Sequence, residues 1–202
     1  MTRRPGYGTL DRLQRANRRC RACVEAGYPL ESLPVFEGRA GQQAYLYGQA
    51  PGSVEGAELR PWRGRAGRAL RAWLEMDETT FYSTFYCASV TRCDPGRSPS
   101  GRGDRTPTAI EQGLCSFWRE EELRLLQPRL IVTVGGLAAR RLLGLQRLTE
   151  AIGERLELGG VPAIPLPHPS GASGWLNDRR NRERLDAAVR LVRAELARMT
   201  QP

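Results

Sequence analysis

Gln43-Ala44-Tyr45-Leu46-Tyr47-Gly48, followed directly by Gln49-Ala50-Pro51-Gly52, is the stretch that decides the fold. Six uncharged residues running into a Gly/Pro turn read as a buried strand that ends abruptly. Downstream, Gly64–Leu74 has helical spacing, with Ala66, Leu70, Trp73 and Leu74 on or near one face. Phe81–Val90 reads as a second strand, long and aromatic, and Asp94–Arg105 as a loop without apolar periodicity. Thr106-Pro107 opens a helix that carries Cys115 and runs to about Gln127. Leu130–Val134 is a third strand, Ala138–Leu143 a short helix, Val161–Leu166 a fourth strand and Asn177–Met199 a final amphipathic helix. Strands alternating with helices predict βαβ units, hence an α/β three-layer α/β/α sandwich with a central four-stranded parallel sheet. Residues 1–19 read as a basic N-terminal arm, in which Leu10 and Leu13 suggest a short helix presenting Cys20, and 20–202 as a single domain.

Composition bounds the function. A chain of 202 residues is long enough for one sizeable core. Its formal charge is +9, and all 31 basic residues are arginine. The planar guanidinium fork suits phosphate, so the basic balance points to nucleic acid, with genomic base composition as the plain alternative. Lysine is absent, so no side-chain amine can form an imine, and lyase chemistry by that route is excluded. No apolar run reaches the roughly 18 residues of a membrane span, and the Arg-rich start has no apolar signal core. The expectation is a cytoplasmic protein without a membrane partner. Nothing suggests an obligate oligomer, so a monomer is expected.

Two residue types carry chemistry. Cys20-x-x-Cys23 in a polar, Arg-rich stretch is joined by Cys93 and, 22 positions later, by Cys115. Four thiolates from two distant segments suit tetrahedral zinc or a cubic iron–sulfur cluster, and spacing does not choose between them. Cys87, inside a strand pattern, reads as a small buried hydrophobe. The single histidine, His168, stands in Leu166-Pro167-His168-Pro169-Ser170, where two prolines fix the backbone around it. An ordinary hydrogen-bonded histidine at a strand end is the plain alternative. However, the Gln49 turn, Ser89 and His168 all follow strands, and parallel sheets bind ligands beyond the carboxyl ends of their strands. Three separate segments are therefore predicted to converge on one rim.

Together these motifs resemble the family 4, iron–sulfur branch of the uracil-DNA glycosylase superfamily. The resemblance spans roughly Cys20 to Met199. It rests on Cys20-x-x-Cys23, Gly48-Gln49-Ala50-Pro51-Gly52, Arg60-Pro61-Trp62-Arg63-Gly64-Arg65-Ala66-Gly67, Thr91-Arg92-Cys93-Asp94-Pro95 with Cys115, and His168-Pro169-Ser170. It implies the uracil-DNA glycosylase fold and a [4Fe–4S] cluster on Cys20, Cys23, Cys93 and Cys115. It also implies excision of uracil from DNA, leaving an abasic site for base excision repair. Under this resemblance Trp62 stacks on the flipped base and His168 donates to the oxyanion that develops on the departing base. Backbone N–H groups around Gln49–Gly52 line the same pocket, with Ala50 and Ser170 beside it. The cluster orders the loop Asp94–Arg105, whose Arg97, Arg102 and Arg105 are expected to meet DNA.

The chain departs from that pattern in places. Gln49 stands where family 4 usually has glutamate, and Ala50 where family 1 carries its water-activating aspartate. Glu55 matches the first acid of a Glu-Asp pair whose second acid is Gly56 here, which leaves Glu55 as the expected water-positioning group, with a solvated glutamate as the alternative. Ser89 replaces an asparagine that reads the uracil edge, which predicts a broadened choice among deaminated bases. Gly171-Ala172 replaces bulkier residues that plug the hole left by a flipped base, with Trp175 or an arginine as candidate substitutes. Two other readings compete: a catalytically weak iron–sulfur DNA-binding protein on the same fold, and a zinc-stabilised nucleic-acid-binding module in which His168 is structural.

Overall fold

A computed structural model describes residues 6–100, 103–170 and 174–200. Along the chain the elements are α1 (Leu10–Arg18), α2 (Ala22–Glu25), β1 (Ala44–Gly48), α3 (Ser53–Glu58), α4 (Arg65–Leu74), α5 (Glu78–Thr84) and β2 (Phe85–Ser89). They continue with α6 (Ala109–Leu126), β3 (Leu130–Val134), α7 (Gly136–Leu143), α8 (Leu148–Ala151), β4 (Leu156–Leu158), β5 (Val161–Leu166), a 3₁₀ turn at Trp175–Asn177, and α9 (Arg179–Thr200). The sheet order is β2-β1-β3-β5-β4. The four strands expected from sequence pair in parallel, and β4 adds an antiparallel edge to β5. That fifth strand is a correction: Leu156–Leu158 is too short and too exposed to show a burial pattern.

Both faces of the sheet are covered, and strand periodicity decides which residues face which layer. Ala44, Leu46, Phe85, Cys87, Leu130, Val132, Val134, Ile164 and Leu166 pack with Leu70 and Leu74 of α4 and Leu185, Ala188, Val189 and Val192 of α9. The alternate residues Tyr45, Tyr47, Tyr86, Ala88, Ile131 and Ala163 pack with α1, α6 and α7 through Leu10, Leu13, Trp118 and Ala138. On that side Glu122 accepts from Tyr45 at 2.7 Å and from Arg92 at 2.5 Å, with all three side chains buried. Cys87 is fully buried in the strand, as expected.

Two segments depart from the sequence reading. Phe81–Val90 is not one strand: Asp77 accepts from the Thr80 N–H at 2.6 Å and caps a helix through Thr84. Phe81 and Phe85, four apart, keep this helix and the start of β2 in the same core. Helix α6 starts at Ala109 rather than Thr106, because Thr108 and Glu111 cap it reciprocally. The short helix expected in the basic arm is present as α1: Leu10 and Leu13 are buried, and it packs on α6. Among the described residues no helix is long and apolar enough to cross a membrane.

β1 leads on toward β2 at one side, whereas β3 leads toward β5 at the other. Adjacent strands whose connections diverge leave a crevice beyond their carboxyl ends, and this is where the candidate site lies.

Candidate active site

The loops after β1, β2 and β5 close around a cleft enclosing about 110 Å³, lined by Gly48–Gly52, Glu55, Trp62, Ser89, Asp104 and His168, among others. The expected convergence of the Gln49 turn, Ser89 and His168 is therefore observed. Two backbone bonds fix the rim: Val90 N–H donates to Gly48 O at 2.9 Å and Thr91 N–H to Gln49 O at 3.2 Å.

Trp62 forms one wall. Its φ is +61°, an expensive conformation for a bulky residue that persists only when its surroundings enforce it. Its carbonyl accepts from Arg71 at 2.8 Å. The indole lies over Gly48, where a Cβ would stand 2.9 Å from the ring, and Gly67 abuts its carbonyl from α4. Two glycines and an arginine thus aim one aromatic ring.

His168 stands opposite, beside Gly135. The Ser170 N–H points at Nδ1 at 3.3 Å, and the Ser170 hydroxyl lies 2.9 Å from the same atom. In the neutral ring a nitrogen that accepts from a backbone N–H carries no proton, so the proton sits on Nε2. The residue is exposed toward the cleft, yet protein atoms on its other sides desolvate the ring and hold its pKa below the ordinary value of 6.5. Both facts favour a neutral imidazole with an Nε2–H donor for the cleft.

Ser89 is buried at the end of β2 and donates its proton to Thr91 O at 2.8 Å. It can therefore offer the cleft only lone pairs. Within the turn, Pro51 has no N–H and that of Gly52 goes to Glu55 Oε2 at 3.2 Å, which leaves Gln49 and Ala50 as the turn's donors. Glu55 uses its other oxygen to accept from Gly64 N–H at 2.7 Å. The acid expected to position water thus clamps two backbone segments.

The basic loop divides. Arg97 is exposed. Arg105, expected to meet DNA, has its fork bidentate on buried Glu111 at 2.6 and 2.7 Å. Arg102, Gly171 and Ala172 lie outside the described residues. Asp104 was missed by sequence reasoning. Its only signal there is an acid between Gly103 and Arg105 in a loop otherwise rich in arginine.

The four cysteines expected as ligands line one pocket. Cys20 follows α1, Cys23 lies in α2, Cys93 follows β2 and Cys115 lies in α6; all four line one apolar pocket. Burial, then repulsion from Cys115, pushes the Cys23 thiol up to about 11, and burial likewise raises Cys93 and Cys115. Asn17, Thr91 and Arg92 line the same pocket with buried polar atoms that have no hydrogen-bond partner, among them Arg92 Nε and Nη1. Unpaired buried polar atoms are costly, and the residues that carry these line the pocket of the four thiols. An anionic thiolate-bound group would supply acceptors, so the donor set fits one. Among the described residues no three His, Cys, Asp or Glu side chains are grouped to hold a single metal ion.

Comparison with known proteins identifies the family. The profile of the uracil DNA glycosylase superfamily matches residues 36–193. A type-4 uracil-DNA glycosylase of Thermotoga maritima is 29% identical over 160 residues, covering 76% of this chain and 77% of that protein. A type-4 enzyme of Pyrobaculum aerophilum is 27% identical over 146 residues, covering 72% and 70%. A type-5 uracil-DNA glycosylase of the same organism is 38% identical over 88 residues, covering 42% of this chain and 36% of its own length. With the profile spanning most of the sheet and every loop around the cleft, the chain belongs to the uracil DNA glycosylase superfamily.

Proposed function

We propose that this protein is a DNA glycosylase that hydrolyses the N-glycosidic bond of uracil in DNA and leaves an abasic site for base excision repair. The observation that carries the reading is the cleft that His168 and the aimed indole of Trp62 line together, with Ser170 N–H on His168 Nδ1 so that a neutral ring offers Nε2–H as its donor. The names of the relatives support the substrate.

The chemistry follows from these side chains. The target nucleotide leaves the stack at a cost of a few kcal/mol, least when the base is mismatched or single-stranded. Trp62 offers its ring face to the flipped base. Ser89 accepts from the N3–H of uracil. As the glycosidic bond breaks, negative charge grows on the uracil oxygen, and the His168 Nε2–H donates to it. A neutral donor aimed at a developing anion strengthens in the transition state, which accelerates the reaction rather than merely tightening binding. With no lysine for an imine, the product is an intact strand carrying an abasic site.

Cys20, Cys23, Cys93 and Cys115 would hold a [4Fe–4S] cluster, with zinc as the alternative. The four-thiol pocket, lined by residues with unpaired buried polar atoms, supports this reading. Bound there, the group would tie α1–α2, the β2 exit and α6 together and brace the root of the 94–105 loop. Brown colour and about four irons and four sulfides per chain are expected, whereas one zinc and no visible absorbance would replace the cluster with zinc.

The decisive experiment incubates the purified protein with labelled oligonucleotides, single-stranded and duplex, containing uracil, hypoxanthine or xanthine, and cleaves abasic sites with alkali. Uracil release that falls by about 100-fold or more in His168→Ala supports the reading. DNA binding without release of any base would replace it with the architectural DNA-binding alternative.

A further inference from the structure

We propose that Asp104 is the carboxylate that orients and deprotonates the hydrolytic water, an assignment that rests on the glycosylase reading above. The turn after β1 ends without an acid: Ala50 is apolar, and both oxygens of Glu55 accept from backbone N–H groups. Asp104 reaches the same turn from the β2–α6 loop. Its Oδ2 lies close over Gly52, where a Cβ would stand 2.8 Å away, so the glycine leaves room for the carboxylate in this position.

The loop that carries it is built to hold it. Arg97 and Asp104 form an antiparallel bridge. Ser98 N–H donates to Gly103 O at 3.0 Å, and Arg105 N–H to Gly96 O at 2.9 Å. The Arg105 fork then pins the next residue to Glu111 on α6. Gly103 and Arg105 on either side are thus tied down, while the Asp104 carboxylate itself makes no hydrogen bond or ion pair among the described residues. Burial, then Asp94, holds its pKa above the ordinary carboxylate value against the lowering pull of Arg97, which makes it a better proton acceptor once ionised. An acid on a DNA-facing, arginine-rich rim repels phosphate, so its presence costs affinity and calls for a chemical role.

The step balances with water as the only co-reactant. The water oxygen bonds to the sugar C1′ as the C1′–N1 bond breaks, and the bonding pair leaves with uracil. The water proton passes to the Asp104 carboxylate, and the uracil anion beside His168 takes a proton from solvent on release.

Asp104→Asn keeps the shape and removes the base. Single-turnover release of uracil from a single-stranded oligonucleotide should slow by about 100-fold or more, the scale of general base catalysis. Affinity for the same DNA, measured by fluorescence anisotropy, should be unchanged or tighter, and the thermal midpoint unchanged. A single-turnover rate within about threefold of the native chain overturns the assignment, as does a slowing matched by lost affinity or a lowered midpoint. If the native chain releases no uracil, the glycosylase reading itself fails. If it does and Asp104→Asn is equally fast, only the role of Asp104 is lost.

Discussion

A methyl group added at Gly67 would stand 1.8 Å from the carbonyl oxygen of Trp62, 2.3 Å from its carbonyl carbon and 2.7 Å from its Cα. Real Cβ atoms essentially never approach closer than 3.0 Å, so Gly67→Ala forces the Trp62 backbone and helix α4 apart by about 1.2 Å. Little give is available. The same carbonyl is bonded to Arg71 at 2.8 Å, and the residue already sits at a φ of +61°. Over-packing of this kind costs about 1–3 kcal/mol. For a domain of this size that lowers the thermal midpoint by roughly 2–12 °C. The larger consequence is functional, because the displaced residue carries the aromatic wall of the cleft. A misplacement near 1 Å costs about 100-fold in rate. Single-turnover uracil release and thermal melting should be measured together on Gly67→Ala, with Trp62→Ala as the reference for loss of the ring. The expectation is a folded protein whose rate falls most of the way to that of Trp62→Ala. A rate within about threefold of the native chain, with an unchanged melting midpoint, refutes the claim that Gly67 aims Trp62.

Two other perturbations test separate parts of the argument. Ser89 gives its proton to Thr91 O and so offers a base only lone pairs, whereas an asparagine there adds an amide donor for the uracil O4. Ser89→Asn should raise the kcat/KM ratio for uracil over hypoxanthine or xanthine by roughly tenfold, and a native chain that already excises uracil alone refutes this. Glu122→Gln removes the charge that Arg92 faces in the core, with both side chains almost wholly buried. Urea denaturation should show about 3–5 kcal/mol lost, and an unchanged midpoint would mean that Arg92 finds another acceptor.

How much of this was legible in the sequence depends on the range of the signal. β1, β3, β5 and helices α4 and α9 were readable to within a few residues, since each buries its own continuous apolar pattern. The α5–β2 segment was not. Its aromatics serve one core from two consecutive elements, and the Asp77 cap that divides them is a local cue weaker than the apolar run. Strand β4 is short and half exposed, and it exists because β5 has an open edge to pair with. For the site, Trp62, Ser89, His168 and the four cysteines stood in recognisable motifs next to strand ends. The roles of Glu55 and Arg105 did not follow from their motifs, because a charge is free or spent according to a partner reached through the fold.

By itself, then, the sequence determined the alternation of strands and helices, the approach of the Gln49, Ser89 and His168 segments to one rim, and the absence of a lysine side-chain amine. All of these depend on residue type and local period. Only the tertiary structure decided which nitrogen of His168 carries the proton, which acids are already satisfied, and that Asp104 reaches the Gly52 turn from more than fifty residues away along the chain. Hydrogen bonds and steric fit act over a few ångströms of space, and the chain order records none of those distances.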